Sequence, residues 1–372
     1  MSPPLRVLFV NEGALRQGPV GHPRVEAAIR FGLDGIPDVD ARFLSLPPIG
    51  RIAHSATRGV PGLRSTDLDL AYVRWHLVYG ARTRRLVRTA LAERPADVLY
   101  TVSHSIALLM VGEMRRVPTV LSVDATVWQV RSMELNRRLR RHSRRFLSPS
   151  VRLERRALGA AARVLCWSQW ARRAVLESCP SAETEVLSPG IDLDRFHPAP
   201  HRPRSLPRLL FVGGQFEPKG GLDLLEAIEP LLGRSLELDV VAHDPPPPRP
   251  GLRVHSLDAA DPQLIDLFQQ CDVFCLPSHG DAFPWAVTEA MACGAPVVAT
   301  SVGAVPELLD GGALGVLVPP GDPGAIRSAV EDLLGDEKRR SRIGAQAREW
   351  CERHHDARLQ TRRLIELMRP LT

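Results

Sequence analysis

The chain has 372 residues, 44% of them apolar, and a formal charge of +6, which is too long for one ordinary core and fits two domains. No apolar run approaches the roughly 20 residues of a membrane span, and the chain runs directly into the apolar stretch Leu5 to Val10 with no room for a signal peptide, so a cytoplasmic protein is expected. The cysteines at 166, 179, 271, 275, 293 and 351 show no C-x-x-C and no zinc spacing, which predicts free, buried thiols in a reducing compartment.

In chain order, the first half offers strands at Val7–Asn11, Ala41–Leu46, Val98–Val102, Thr119–Val123 and Arg163–Trp167, separated by longer helical patterns. That alternation predicts a doubly wound parallel sheet. The loop after the first strand carries Gly13, Gly18 and Gly21. It does not form G-x-G-x-x-G, which disfavours a dinucleotide oxidoreductase, but glycine still lets backbone approach a diphosphate. The longest apolar run, Ile106 to Val111, is expected to be a buried strand or helix segment. His104 and Asp124 each follow or end a strand, and a core role or a helix cap suits them as well as a site does. Ten arginines fall between Arg131 and Arg156. Residues 1–190 hold 29 arginines against 16 acids, whereas residues 191–372 hold 19 basic residues against 26 acids. Three uses of the basic stretch compete: a solvated helix face, an anionic acceptor site, and peripheral contact with an anionic membrane. Nucleic acid is disfavoured because no aromatic residues interleave with the arginines.

Four prolines between Phe196 and Pro207 read as a linker, and a second strand set follows: Leu209–Val212, Leu236–Val241, Val273–Leu276, Pro296–Ala299 and Gly315–Val318. The chain has 46 arginines and two lysines, Lys219 and Lys338. Lys219 stands in a glycine turn, which suggests a compact point charge for a phosphate. The most informative segment is P-S-H-G-D-A-F-P-W-A-V-T-E-A-M-A-C-G-A-P, Pro277 to Pro296. A buried strand breaks there into a loop, Pro284 suits a first helical turn, and Gly294 suits the stop. Asp281 and Glu289 lie eight apart, in the loop and inside the helix. They are either a helix cap with a dipole partner or a working pair at the carboxyl ends of the strands, where ligands bind. A last amphipathic helix from about Ala357 is expected to bury Leu359, Leu364 and Leu367.

The segment Pro277–Pro296 resembles the carboxylate-x7-carboxylate motif of retaining glycosyltransferases of family GT4 (glycosyl transferases group 1). L-L-F-V-G-G-Q-F-E-P-K-G-G, from Leu209, is similar to that family's glycine turn with its lysine at Lys219. S-P-G-I-D-L-D-R-F-H-P (188–198), V-G-A-V-P-E-L (302–308) and G-V-L-V-P-P-G-D-P (315–323) also match, while the resemblance is thin before residue 164. It implies an α/β protein of the GT-B type, two Rossmann-like domains facing a central cleft: residues 1–195 on the acceptor side, with a helix at about 357–372 packing back on them, and 196–356 binding the nucleotide sugar.

The implied activity is metal-independent transfer of a sugar, with retention, from a UDP- or GDP-type nucleoside diphosphate to a hydroxyl of a small-molecule, glycan or lipid-linked acceptor, with no cofactor. Asp281, His104 and Lys219 take the catalytic positions. Glu289, Gly213, Gly214, Phe283, Pro284, Trp285, Gly18 and Gly21 take donor-binding positions, the turns offering backbone N–H groups. Asp124 and Arg131 fall on the acceptor side. Two departures stand out: Asp281 where the family carries Glu, about 1.5 Å shorter, and Gly214 where it carries Arg. These keep open a nucleotide-sugar-binding partner subunit without turnover; an epimerase on the same fold is the other alternative. Three Asp-x-Asp pairs (38/40, 67/69, 192/194) arise readily among 22 aspartates and do not support a metal site.

Overall fold

The computed structural model describes residues 3–12, 22–47, 55, 57, 70–133 and 148–372. The chain forms two compact units, residues 1–189 with 358–372, and residues 190–357. It passes from one unit to the other after Pro189 and again after Ala357. The two crossing segments are stitched together within the second unit: Ile191 N donates to His355 O at 2.6 Å and Ala357 N to Ile191 O at 2.9 Å.

The first unit holds a six-stranded parallel sheet: β1 (Leu5–Asn11), β2 (Val39–Ser45), β3 (Val98–Thr101), β4 (Thr119–Val123), β5 (Arg163–Cys166) and β6 (Thr184–Val186). Their spatial order is β2-β1-β3-β4-β5-β6. The second unit holds β7 (Arg208–Val212), β8 (Glu237–Val241), β9 (Leu252–His255), β10 (Val273–Leu276), β11 (Val297–Thr300) and β12 (Val316–Val318), in the order β12-β11-β10-β7-β8-β9. Every pairing in both sheets is parallel. Central strands such as β3, β4, β10 and β11 are buried along their whole length, as helices on both faces require, and they read as continuous apolar runs for that reason.

The strand order determines where a ligand can sit. In such sheets the crevice opens at the carboxyl ends of the two strands where the winding reverses. In the second unit those are β7 and β10; in the first they are β1 and β3.

Several expectations are corrected. The edge strands β6 and β9 were not anticipated, because T-E-V and L-R-V-H are short and half polar. Of the two alternatives for the apolar run 106–111, a strand or a helix segment, the helical one is nearer: the run spans the end of a 3₁₀ turn, His104–Ala107, and the start of the helix Val111–Met114. The proline-rich stretch 198–207 belongs to the second unit rather than to a linker. It is tied down by Gln270, whose Oε1 accepts from Arg202 N at 2.9 Å and whose Nε2 donates to Pro200 O at 3.0 Å. The last helix is Ala357–Met368, and its buried stripe is Thr361, Leu364, Ile365 and Met368, with Leu359 45% exposed. That stripe follows the i, i+3, i+4, i+7 rule of one helical face.

Candidate functional site

In the second unit, three loops at the carboxyl ends of β7, β10 and β11 converge. After β7 the chain turns through Gly213 and Gly214 and folds back at Phe216–Gly221. Phe216 N donates to Asp244 Oδ1 at 2.7 Å, and Gly221 N donates to Phe216 O at 2.8 Å. Gly220 has φ +78°, and a Cβ there would lie 1.9 Å from Pro277 O. Only glycine lets this turn lie against the loop after β10, where His279 N donates to Pro218 O at 3.2 Å. The third loop closes on the second in the same way. Gly303 has φ +53° with the Asp281 carbonyl oxygen 1.7 Å from its absent Cβ, and Ala304 N donates to Ala282 O at 3.1 Å.

These close approaches bring Lys219 and Asp281, 62 positions apart, into a directly hydrogen-bonded ion pair, with both side chains largely buried. Asp281 is therefore no helix cap. The helix that follows, Trp285–Ala292, has Pro284 at its N-cap with no side-chain cap bond, and all eight of its residues are buried, Glu289 among them. Phe283 and Trp285 pack against each other with ring centroids 6.3 Å apart, and Phe283 also meets His355. One expected donor is corrected. The Gly213 N–H already donates to Val241 O at 3.0 Å, so Gly213 serves by leaving room for the Lys219 stem, 3.1 Å from where a Cβ would stand. Beside the pair, His279 Nε2 lies 3.1 Å from Asp223 Oδ2, and Thr300 donates to Ser278 O at 2.6 Å.

In the first unit the residues after β1, β3 and β4 form a buried polar cluster. Glu12 follows β1 and is buried. His104 follows β3, is 2% exposed, and sets its Nε2 2.8 Å from Glu154 Oε1. The same oxygen accepts the Val127 N–H at 2.7 Å. Asp124, after β4, accepts from Ala125 N at 2.8 Å and so shapes its own turn. Arg131 lies in the last turn of the short helix Val127–Ser132, which Thr126 starts with a capping box to Gln129. The helix Ala71–Glu93 adds Tyr72 and His76, whose Nδ1 lies 3.2 Å from Ser150 Oγ. Burial pushes the Tyr72 phenol well above its ordinary value, helped by the carboxylates of Glu154, Asp124 and Glu12 and opposed by Arg131. Burial, then His104, pushes His76 down to about 3. Gly18 and Gly21 lie outside the described residues, as do residues 134–147 of the basic stretch. The arginines of the helix Ser148–Leu158 (Arg152, Arg155, Arg156) are exposed.

Sequence reasoning missed Glu154, His76, Tyr72 and Glu12. The available signal was slight: Glu154 is a lone acid among arginines on the apolar side of a basic helix. Gly303 and His279 stood inside recognised motifs without an assigned role.

Residues 206–336 match a family model described as Glycosyl transferases group 1, and residues 51–195 match one described as Glycosyltransferase Family 4. The chain is similar to a D-inositol 3-phosphate glycosyltransferase of Kineococcus radiotolerans, 32% identical over 235 residues, covering 52% of this chain and 54% of that protein. The same-named protein of Xylanimonas cellulosilytica is 34% identical over 195 residues, covering 44% and 46%. The chain thus spans about half the length of the curated relatives it matches. Among solved structures, sucrose-phosphate synthase from Thermosynechococcus elongatus shares the fold with a TM-score of 0.74 at 16% identity, covering 99% of each chain. Anabaena HepE, solved in complex with UDP and glucose, has a TM-score of 0.67 at 16% identity, covering 98% of this chain and 99% of that one.

Proposed function

Because the chain belongs to glycosyltransferase family 4, models of that family matching both of its units, we propose that it is a retaining, metal-independent glycosyltransferase. It would move a sugar from a nucleoside diphosphate to an acceptor hydroxyl. The observation that carries this proposal is the Lys219–Asp281 pair at the switch point of the second sheet. A diphosphate arriving there competes for the ammonium and frees the carboxylate. The cation then neutralises the charge that grows on the leaving group, together with backbone N–H groups of Gly214, Phe283 and Trp285. The released Asp281 takes a donor-sugar hydroxyl and fixes the sugar's orientation, which is positioning rather than proton transfer. Glu289 accepts the ribose hydroxyls. Retention follows if the leaving phosphate helps deprotonate the acceptor on the same face, so neither a protein nucleophile nor a metal is required.

Asp124 and Arg131 would serve the acceptor side, and His104 would take a catalytic position in the first unit. Relatives named for D-inositol 3-phosphate and a neighbour solved with UDP and glucose support a UDP-type sugar and a small, phosphorylated polyol acceptor. Incubating the protein with UDP- and GDP-sugars, with and without EDTA, tests all of this. Slow hydrolysis that survives EDTA and releases sugar of unchanged anomeric configuration is expected. Nucleotide binding without turnover of any donor would instead favour the partner subunit, for which Gly214 in the place of the family's arginine is the motive.

A further inference from the structure

We propose that Glu154 is a positioning residue for this reaction: it fixes the tautomer of His104 so that Nδ1 offers its lone pair to a substrate hydroxyl. The inference rests on the glycosyltransferase function proposed above, and every residue in it belongs to the first unit.

His104 stands directly beyond β3, one of the two strands at that unit's switch point. Its Nε2 lies 2.8 Å from Glu154 Oε1, which also accepts the Val127 N–H at 2.7 Å. An ionised carboxylate can only accept, so a neutral ring carries its single proton on Nε2 and leaves Nδ1 as an acceptor. The backbone bond from Val127 anchors the oxygen, and with it the ring. A carboxylate behind an imidazole selects the tautomer in this way wherever the opposite nitrogen must act.

Among the described residues the opposite nitrogen has nothing to act on. His104 Nδ1 is buried and has no hydrogen-bond partner among the described residues. Four more buried polar atoms of this unit share that condition among the described residues: Glu154 Oε2, His76 Nε2, Asn11 Oδ1 at the end of β1 and Thr101 Oγ1 at the end of β3. Buried polar groups are nearly always paired, and an orphan calls for an explanation. Those of Thr101 and His104 at the end of β3, with the others on neighbouring elements, are explained together by a hydroxyl-bearing ligand. A phosphate does not fit, because a lone pair on Nδ1 repels an anionic oxygen and the buried carboxylates of Glu12 and Glu154 stand nearby. A polyol hydroxyl fits, since it donates to Nδ1 and can accept elsewhere.

The test uses the full chain labelled with ¹⁵N, with the polyol myo-inositol as the probe and inorganic phosphate as the control. Long-range proton–nitrogen correlation should show His104 protonated at Nε2 and bare at Nδ1, with the Nδ1 resonance moving on addition of myo-inositol and not of phosphate. Glu154→Gln, which keeps the shape and supplies an amide donor, should lose that tautomer preference. It should lower kcat for donor turnover at least about tenfold while UDP affinity and Tm stay near wild type. Glu154→Asp should recover part of the rate. A ring protonated at Nδ1, or a Glu154→Gln variant with wild-type kcat, overturns the proposal. If Glu154→Gln does not fold, the wild-type resonances decide by themselves. Wild-type protein that turns over no nucleotide sugar removes the glycosyltransferase function itself, which is a separate result from normal wild-type turnover with an indifferent Glu154→Gln.

Discussion

Lys219 and Asp281 each hold the other's charge, so replacing one changes what the other can do. Lys219→Ala removes the cation and leaves the carboxylate facing any incoming phosphate. Calorimetry with UDP should show binding weakened by about 1.5–3 kcal/mol, the usual size for a hydrogen bond to a charged group; unchanged affinity would end the phosphate role. Asp281→Asn acts in the other direction. It removes the competitor for Lys219, so UDP should bind as tightly as before or more tightly, while turnover drops at least about tenfold because the sugar loses its anchor. A variant that loses UDP affinity and turnover in parallel would place Asp281 on the nucleotide instead. Both residues could be picked out in the sequence, Lys219 by its rarity and its glycine turn, Asp281 by its spacing from Glu289. Their contact could not, because it depends on Gly220 and Gly303 admitting two loops to near backbone contact. Glu154 and His104 are 50 positions apart, and nothing local links them.

At the scale of elements, legibility followed burial. Strands covered on both faces announce themselves as apolar runs, and β4 and β10 begin and end where the sequence places them. The edge strands β6 and β9 mix polar and apolar residues, and β9 is held partly by Arg253 and His255 on the buried Asp239. Such charge pairing has no periodic signature. The last helix shows a different failure: its amphipathic character is legible, but the choice of buried face is made by its docking. Arg358 lies over the Phe31 ring, and Arg363 reaches Glu185 on β6. Leu359, about 140° around the helix from Leu364 at 3.6 residues per turn, is thereby turned outward. Leu364→Ala should cost about 2–5 kcal/mol of stability, and Leu359→Ala less than about 0.5 kcal/mol. Urea denaturation of the two variants checks the contrast, and equal losses would mean that the helix docks differently.

For the molecule as a whole, acid should act early through the first unit. The His76 ring is held down to about 3 by burial and by His104, whereas the unfolded chain protonates it near the ordinary 6.5. Below that value the unfolded state takes up a proton that the folded ring refuses. The stability is therefore present above pH 6.5 and is lost as the pH falls towards 3, by about 1 kcal/mol between pH 6.5 and 5.5 from this group alone. Urea midpoints at those two pH values should differ accordingly, and His76→Gln should flatten the difference. A slope that His76→Gln leaves untouched would assign the acid sensitivity to other groups. The thiols resist chemistry for a related reason: all six cysteines are free and buried, and burial pushes Cys166 and Cys351 up to about 12.

The double crossing of the chain has a consequence in time. The second unit is one uninterrupted stretch, 190–357, whereas the first is assembled from 1–189 and the distant 358–372. On a ribosome the first unit emerges early and must wait for the helix that covers part of it until the whole of the second has been made. At about 5–20 residues per second that wait is on the order of 10 to 30 s. Throughout it, the apolar face meant for Leu364, Ile365 and Met368 stands bare, a surface for a chaperone or for another nascent chain, and the second unit can be folded before the first is closed.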